Sequence, residues 1–145
     1  MNETTIAAKI ALANTFVLYF KAHSFHWNVV SKDFAQFHDY FGDFYEEVYG
    51  AVDPMAEEIR ALGEFAPRSI SELYNYKTIS DSNEAVNVEE MLLDLQASNA
   101  QTIDSLNKLF DLLVVAKEQG FANFVADRLD AHKKHAWMLR SFLGN

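Results

Sequence analysis

The stretch from His26 to Glu57, HWNVVSKDFAQFHDYFGDFYEEVYGAVDPMAE, decides how this chain folds. Phe34, Phe37, Phe41, Phe44, Tyr45, Val48, Val52, Met55, Ile59 and Leu62 recur at helical spacing through it and just beyond. Ser31-Lys32-Asp33 breaks this run from the one before. Asp33 with Gln36 has the form of a capping box, opening a second helix that ends at Gly63. Pro54 lies inside that helix and predicts a local bend, because proline offers no amide to the preceding turn. The same stretch carries His26 and His38, then Asp53-x-x-x-Glu57. From Asp33 to Ile59 it holds eight acids and no Lys or Arg. Carboxylates without counter-cations, flanked by imidazoles, form a donor set suited to Fe(II), with Zn and Mn also accommodated.

Upstream, Ile6, Ile10, Ala13, Val17, Phe20 and Trp27 continue the helical period and predict a first helix over residues 4–29. Downstream, residues 64–86 form the one long connection, punctuated by Pro67, Ser69, Ser71, Ser80, Asp81, Ser82 and Asn83. Ile70, Leu73, Tyr74 and Tyr76 suggest a short helix within it. Asn87, with Glu90 at the capping-box position, opens a third helix. Its stripe is Val88, Met91, Leu92, Leu95, Ile103, Leu106, Phe110 and Leu113, and Gly120 is expected to end it. A fourth helix over residues 121–142 presents Phe121, Val125, Leu129, Ala136 and Leu139, with Leu143 just beyond. Short, long and short links between four amphipathic helices describe an all-α fold. It is a ferritin-like four-helix bundle with a short extra helix in the long connection between the second and third helices, in a single domain over residues 1–145.

Composition narrows the function. A net charge of −9 disfavours direct binding to DNA phosphates and favours gathering cations. With no cysteine there is neither a disulfide nor a thiolate metal site. No apolar run approaches the roughly 20 residues of a membrane span. The first residues, MNETTIAAKIALANTF, lack the basic start of a secretory signal, so the expected location is cytoplasmic.

Two geometries for a metal site can be compared. A di-metal centre inside the bundle would use Glu-x-x-His pairs, and the chain contains none. His26 and His38 flank a turn, so in an antiparallel helix pair they come level and can face one another. Asp53 and Glu57 lie one turn apart. However, Asp53 follows His38 by fifteen residues on the same helix, roughly 22 Å at 1.5 Å rise. One chain therefore cannot bring all four to one ion. A two-fold axis can, if second helices pack antiparallel and each subunit's histidines meet its partner's Asp53 and Glu57.

His26-Trp27-Asn28, His38, Asp53-x-x-x-Glu57 and Arg60-Ala-Leu-Gly63 resemble the Dps family of miniferritins, named for DNA protection during starvation. The resemblance extends over essentially the full length, through the short helix of the long connection to His135-Ala-Trp137-Met-Leu-Arg-Ser-Phe-Leu-Gly144. It implies a hollow dodecameric shell built on two-fold dimers. It also implies ferroxidase sites in which His26 and His38 of one subunit act with Asp53 and Glu57 of the other. There Fe(II) is oxidised, usually by hydrogen peroxide, and iron is stored as ferric mineral. The competing function is a Dps-like shell that binds metal passively, with weakened or lost ferroxidase activity.

Three departures bear on that choice. Where many members of the family have a further Asp ligand, four residues after the second histidine, this chain has Gly42; Asp43 beside it points about 100° away on a helix. The initial residues, Met1-Asn2-Glu3-Thr4-Thr5, have no Lys or Arg, so the tail-mediated DNA binding of some members is not expected. Pro54 directly follows a candidate ligand and bears on the aim of Asp53. Of the other histidines, His23 shares a face with His26; an auxiliary ligand role is open to it, but a structural or surface role is expected. His132 is expected to be a satisfied core histidine, and His135 to lie at the surface or an interface. Asp39, Asp43, Glu46, Glu47 and Glu58 are expected on a solvated face. Trp27 can simply fill the core; the resemblance places it instead beside the iron site, where an indole can intercept an oxidising radical. It also suggests Glu118, Asp127 and Asp130 for an acidic pore on a three-fold axis.

Overall fold

A computed structural model describes all residues, Met1–Asn145. Six helical segments follow one another: α1 (Glu3–Asn28), α2 (Phe34–Tyr49), α3 (Val52–Ala61), α4 (Ile70–Tyr76), α5 (Val88–Val115) and α6 (Gln119–Phe142). The bundle consists of α1, the α2–α3 pair, α5 and α6, with α4 in the crossover. No helix is long and apolar enough to cross a membrane.

Contacts between helices fix their directions. Lys21 of α1 meets Asp94 and Ser98 of α5, while Ala8, Ala11 and Leu12 share a core with Leu106, Leu109 and Leu113. α1 and α5 are therefore antiparallel. Glu47 meets Arg128 and Tyr40 meets Phe142, so α2 and α6 are antiparallel as well. One core cluster joins Leu18, Phe41, Phe44 and Leu95; the other joins Met55, Ile59, Leu106 and Val125. α2–α3 and α5 both run from the first cluster to the second. They are parallel, so the chain must return along the whole bundle between them. Asn14, fully buried in α1, holds that return: its Oδ1 accepts from the amides of Thr78 (2.8 Å) and Ile79 (3.4 Å), and its Nδ2 donates to Thr78 Oγ1 at 2.9 Å.

The second helix is not continuous. Pro54 has no amide to give the Gly50 carbonyl, and the helix is interrupted at Gly50–Ala51. Both residues keep right-handed dihedrals (φ −59°, ψ −19° and φ −85°, ψ −17°), and Ala51 N bonds Val48 O at 3.1 Å. The result is a tightened turn within one rod, with α3 extending α2. Its end at Gly63 is as expected. Gly63 has φ +96°, its amide bonds Arg60 O at 3.0 Å, and that of Glu64 bonds Ile59 O at 3.3 Å, a Schellman closure.

Other expectations at helix ends divide. The Asn87–Glu90 capping box is present. Asp33 precedes α2 but its side chain caps nothing; instead Ser31 Oγ accepts from the Asp33 amide at 3.0 Å. Gly120 does not end the third helix: Lys117 takes the left-handed position (φ +59°) and Gly120 lies in the first turn of α6. Lys117 and Glu118 amides close the end of α5 on Val114 and Leu113 carbonyls, so the motif forms without glycine.

The first helix buries only part of the expected stripe. Ala13 and Val17 are buried, together with Ala8, Ala11, Leu12, Leu18, Ala22 and Phe25, whereas Ile6, Phe20 and Trp27 are exposed. The cause is that α1 is apolar on more than one side, and a single chain covers only part of that surface.

Candidate metal centre

His26 lies in the last turn of α1 and His38 in the second turn of α2, on either side of the link through residues 29–33. The fold brings them together with their rings stacked, centroids 3.7 Å apart and planes 18° apart. His26 Nδ1 donates to the His38 carbonyl at 2.7 Å, and His38 Nδ1 donates to the His26 carbonyl at 2.7 Å. The second bond has a local cause. Carbonyls in the last turn of a helix lack amide partners. No backbone amide takes the His26 carbonyl, and His38 caps it. A carbonyl only accepts, so each neutral ring carries its proton on Nδ1 and leaves the Nε2 lone pair free for a cation. Both histidines are half-buried, which holds the rings while leaving them accessible.

Around the pair lies an aromatic wall. His23 stacks on Tyr45 at 3.9 Å and 6°, lies 4.2 Å from Trp27, and its Nδ1 pairs with the Tyr19 hydroxyl at 2.9 Å. Burial and the nearby His26 push His23 below the usual imidazole range. Burial, with Tyr49 and Tyr45 nearby, pushes the Tyr19 phenol up. His23 thus stands in this aromatic wall, held by Tyr19 and Tyr45. Trp27 is half-exposed and edge-on to Phe20 at 6.1 Å.

Asp53 and Glu57 lie one turn apart on α3, both exposed. The interruption at Gly50–Ala51 places Asp53 in the first turn of a new helix, where the unpaired amides favour a carboxylate. The chain's own fold does not carry either acid to the histidines, and no three His, Asp or Glu side chains converge on a cation position within one chain. Asp43 is exposed, and so are Glu118, Asp127 and Asp130; Asp130 pairs with Lys134 at 3.3 Å.

Sequence reasoning misplaced one residue of a second polar group, at the boundary between core and surface: His135 is buried rather than at the surface. Glu47 keeps the exposed position expected of it, but it is also paired. Arg128, buried, holds Glu47 through two bonds of 2.5 and 2.9 Å, and His135 Nε2 meets the same carboxylate at 2.7 Å. His132 is a satisfied core histidine, as expected. Its Nδ1 donates to Asn99 Oδ1 at 2.9 Å, and its Nε2 accepts from Arg128 at 3.1 Å. The spacing of Arg128, His132 and His135 on one face of α6 was the available signal. It needed an acid on a facing helix, which the sequence does not identify.

Comparison with known proteins gives concordant results. A family model described as a ferritin-like domain matches residues 9–145. The DNA protection during starvation protein of Brevibacillus brevis is 29% identical over 133 residues, 91% of this chain and 89% of that protein. Antigen TpF1 of Treponema pallidum is 31% identical over 136 residues, 91% of this chain and 75% of the relative. The crystal structure of a Dps protein from Bacillus brevis superposes with a TM-score of 0.91 at 26% identity, covering 97% of this chain and 94% of that one. With a six-segment bundle, a helix in its crossover and the His26–His38 pair at the first turn, this chain belongs to the Dps family of ferritin-like proteins.

Proposed function

We propose that this protein is an iron-storage and detoxification miniferritin. Fe(II) is the substrate, and hydrogen peroxide is the oxidant that family membership favours. The observation that carries the proposal is the paired imidazoles: both Nδ1 protons are committed to carbonyls, so both Nε2 atoms are free to bind metal. The remaining ligands are Asp53 and Glu57 of a second copy, across a two-fold interface. Their exposure on α3, and the exposed aromatic face of α1, support this pairing. Imidazole and carboxylate together bind Fe(II) at neutral pH, and two anionic ligands stabilise the ferric product. The ferric ion passes to mineral inside a dodecameric shell. The net charge of −9 favours a cation cargo over DNA phosphates.

The test is anaerobic Fe(II) loading of the sized shell followed by peroxide, comparing wild type with His26→Ala/His38→Ala. A tenfold or greater loss of oxidation rate, with an unchanged shell, is the expected result. Gly42, in place of a possible fifth ligand, favours one second reading, a shell that binds metal passively. Equal rates in the two proteins would establish that reading instead.

A further inference from the structure

Gly42 is more than a missing ligand. A Cβ built on it would lie 3.2 Å from Nδ1 and 3.3 Å from Cε1 of His26. These separations are below ordinary van der Waals contact, so the ring would have to retreat. It has little room to do so. Nδ1, one of the two atoms approached, is the atom bound to the His38 carbonyl at 2.7 Å, and the ring is stacked on His38 at 3.7 Å. The close approach follows from helix geometry. In a regular helix the carbonyl of residue 38 points toward the amide of residue 42. A side chain from another helix that donates to that carbonyl must pass over residue 42, and the bare Cα of glycine leaves space for it.

Resting on the proposed metal centre, we infer that Gly42 is a positioning residue for His26. Its lack of a side chain seats the imidazole against the α2 backbone, fixes the tautomer and aims Nε2. A Cβ at this position presses the His26 ring back by a few tenths of an ångström, against the bond and the stacking that hold it. In this chain glycine and the stacked histidine pair are two parts of one arrangement.

The experiment uses the full-length protein and Co(II) as the probe, with metal-free melting as a second readout. Gly42→Ala is expected to weaken Co(II) binding tenfold or more and to alter its visible absorption. Equal or tighter binding by Gly42→Ala would overturn the inference. Without metal, Gly42→Ala should lower the melting temperature in the wild-type background. In a His26→Ala background it should raise it, because alanine is the better helix former once the ring is gone. The same shift in both backgrounds, or failure to fold in both, would also overturn it. Folding only in the His26→Ala background would support it. The parent proposal fails separately, if His26→Ala alone binds Co(II) as tightly as wild type.

Discussion

Because a backbone carbonyl can only accept, the protons on His26 and His38 are fixed at Nδ1 and their Nε2 atoms stay available. His132 shows the opposite outcome from the same side chain: both nitrogens are taken, by Asn99 and Arg128, and the ring is fully buried. Burial first, then the positive charge of Arg128, holds His132 well below 6.5. As pH falls below 6.5 the unfolded chain takes up this proton before the folded one does, so stability declines. Glu47 adds a second decline. Burial alone would raise its pKa, but hydrogen bonds from His135 and Arg128 and their charges outweigh that and hold it well below 4.5. Its stabilisation is complete above 4.5 and is lost as pH falls from there toward the folded value. Urea denaturation across this range should show both losses. Glu47→Gln should remove the lower one and cost about 1–2 kcal/mol near neutrality, a buried-pair value discounted because Glu47 is partly solvated. An unchanged acid limb in Glu47→Gln would show that the network does not set acid stability.

At the scale of elements, the crossover depends on one residue of α1. Asn14 satisfies two amides and one hydroxyl of the returning chain from a fully buried position. Asn14→Ala leaves those groups without partners, and the expected loss is about 2–3 kcal/mol, counting 1–3 for each unsatisfied buried group and allowing for partial hydration. Hydrogen exchange should localise the effect to residues 78 and 79, and uniform exchange across the chain would contradict it. Nothing in the sequence marks Asn14 for this task, since its partners lie more than sixty residues away. The helices themselves were legible, because the apolar stripes of α5 and α6 and the Asn87–Glu90 box are local signals. The interruption at Gly50–Ala51 was half legible: Pro54 announced it, but the break falls where the missing partner is, four residues earlier. Lys117 in the left-handed position was not legible, as glycine or asparagine is the usual occupant. Of the candidate site, the His26–His38 pairing followed from two antiparallel helices and a short turn. The Glu47–Arg128–His135 group did not, because it joins helices distant in sequence.

At the scale of the whole molecule, the proposed site needs a second copy of the chain. One chain presents paired imidazoles at one end of the α2–α3 rod and exposed carboxylates toward the other, roughly 22 Å apart by helical rise. An antiparallel two-fold pairing brings unlike ends together twice, which gives two equivalent sites per dimer. Ile6, Phe20 and Trp27, exposed on α1, are apolar surface that such an assembly can cover. The most direct test is complementation. One parent carries His26→Ala/His38→Ala and the other Asp53→Ala/Glu57→Ala; each is expected to be inactive alone. After dissociation and co-assembly at equal amounts, half of the dimers are mixed, and each mixed dimer has one complete site and one lacking all four ligands. About one quarter of wild-type Fe(II) oxidation should return, as random pairing across an isologous interface requires. No recovery in properly mixed shells would contradict a site shared between subunits.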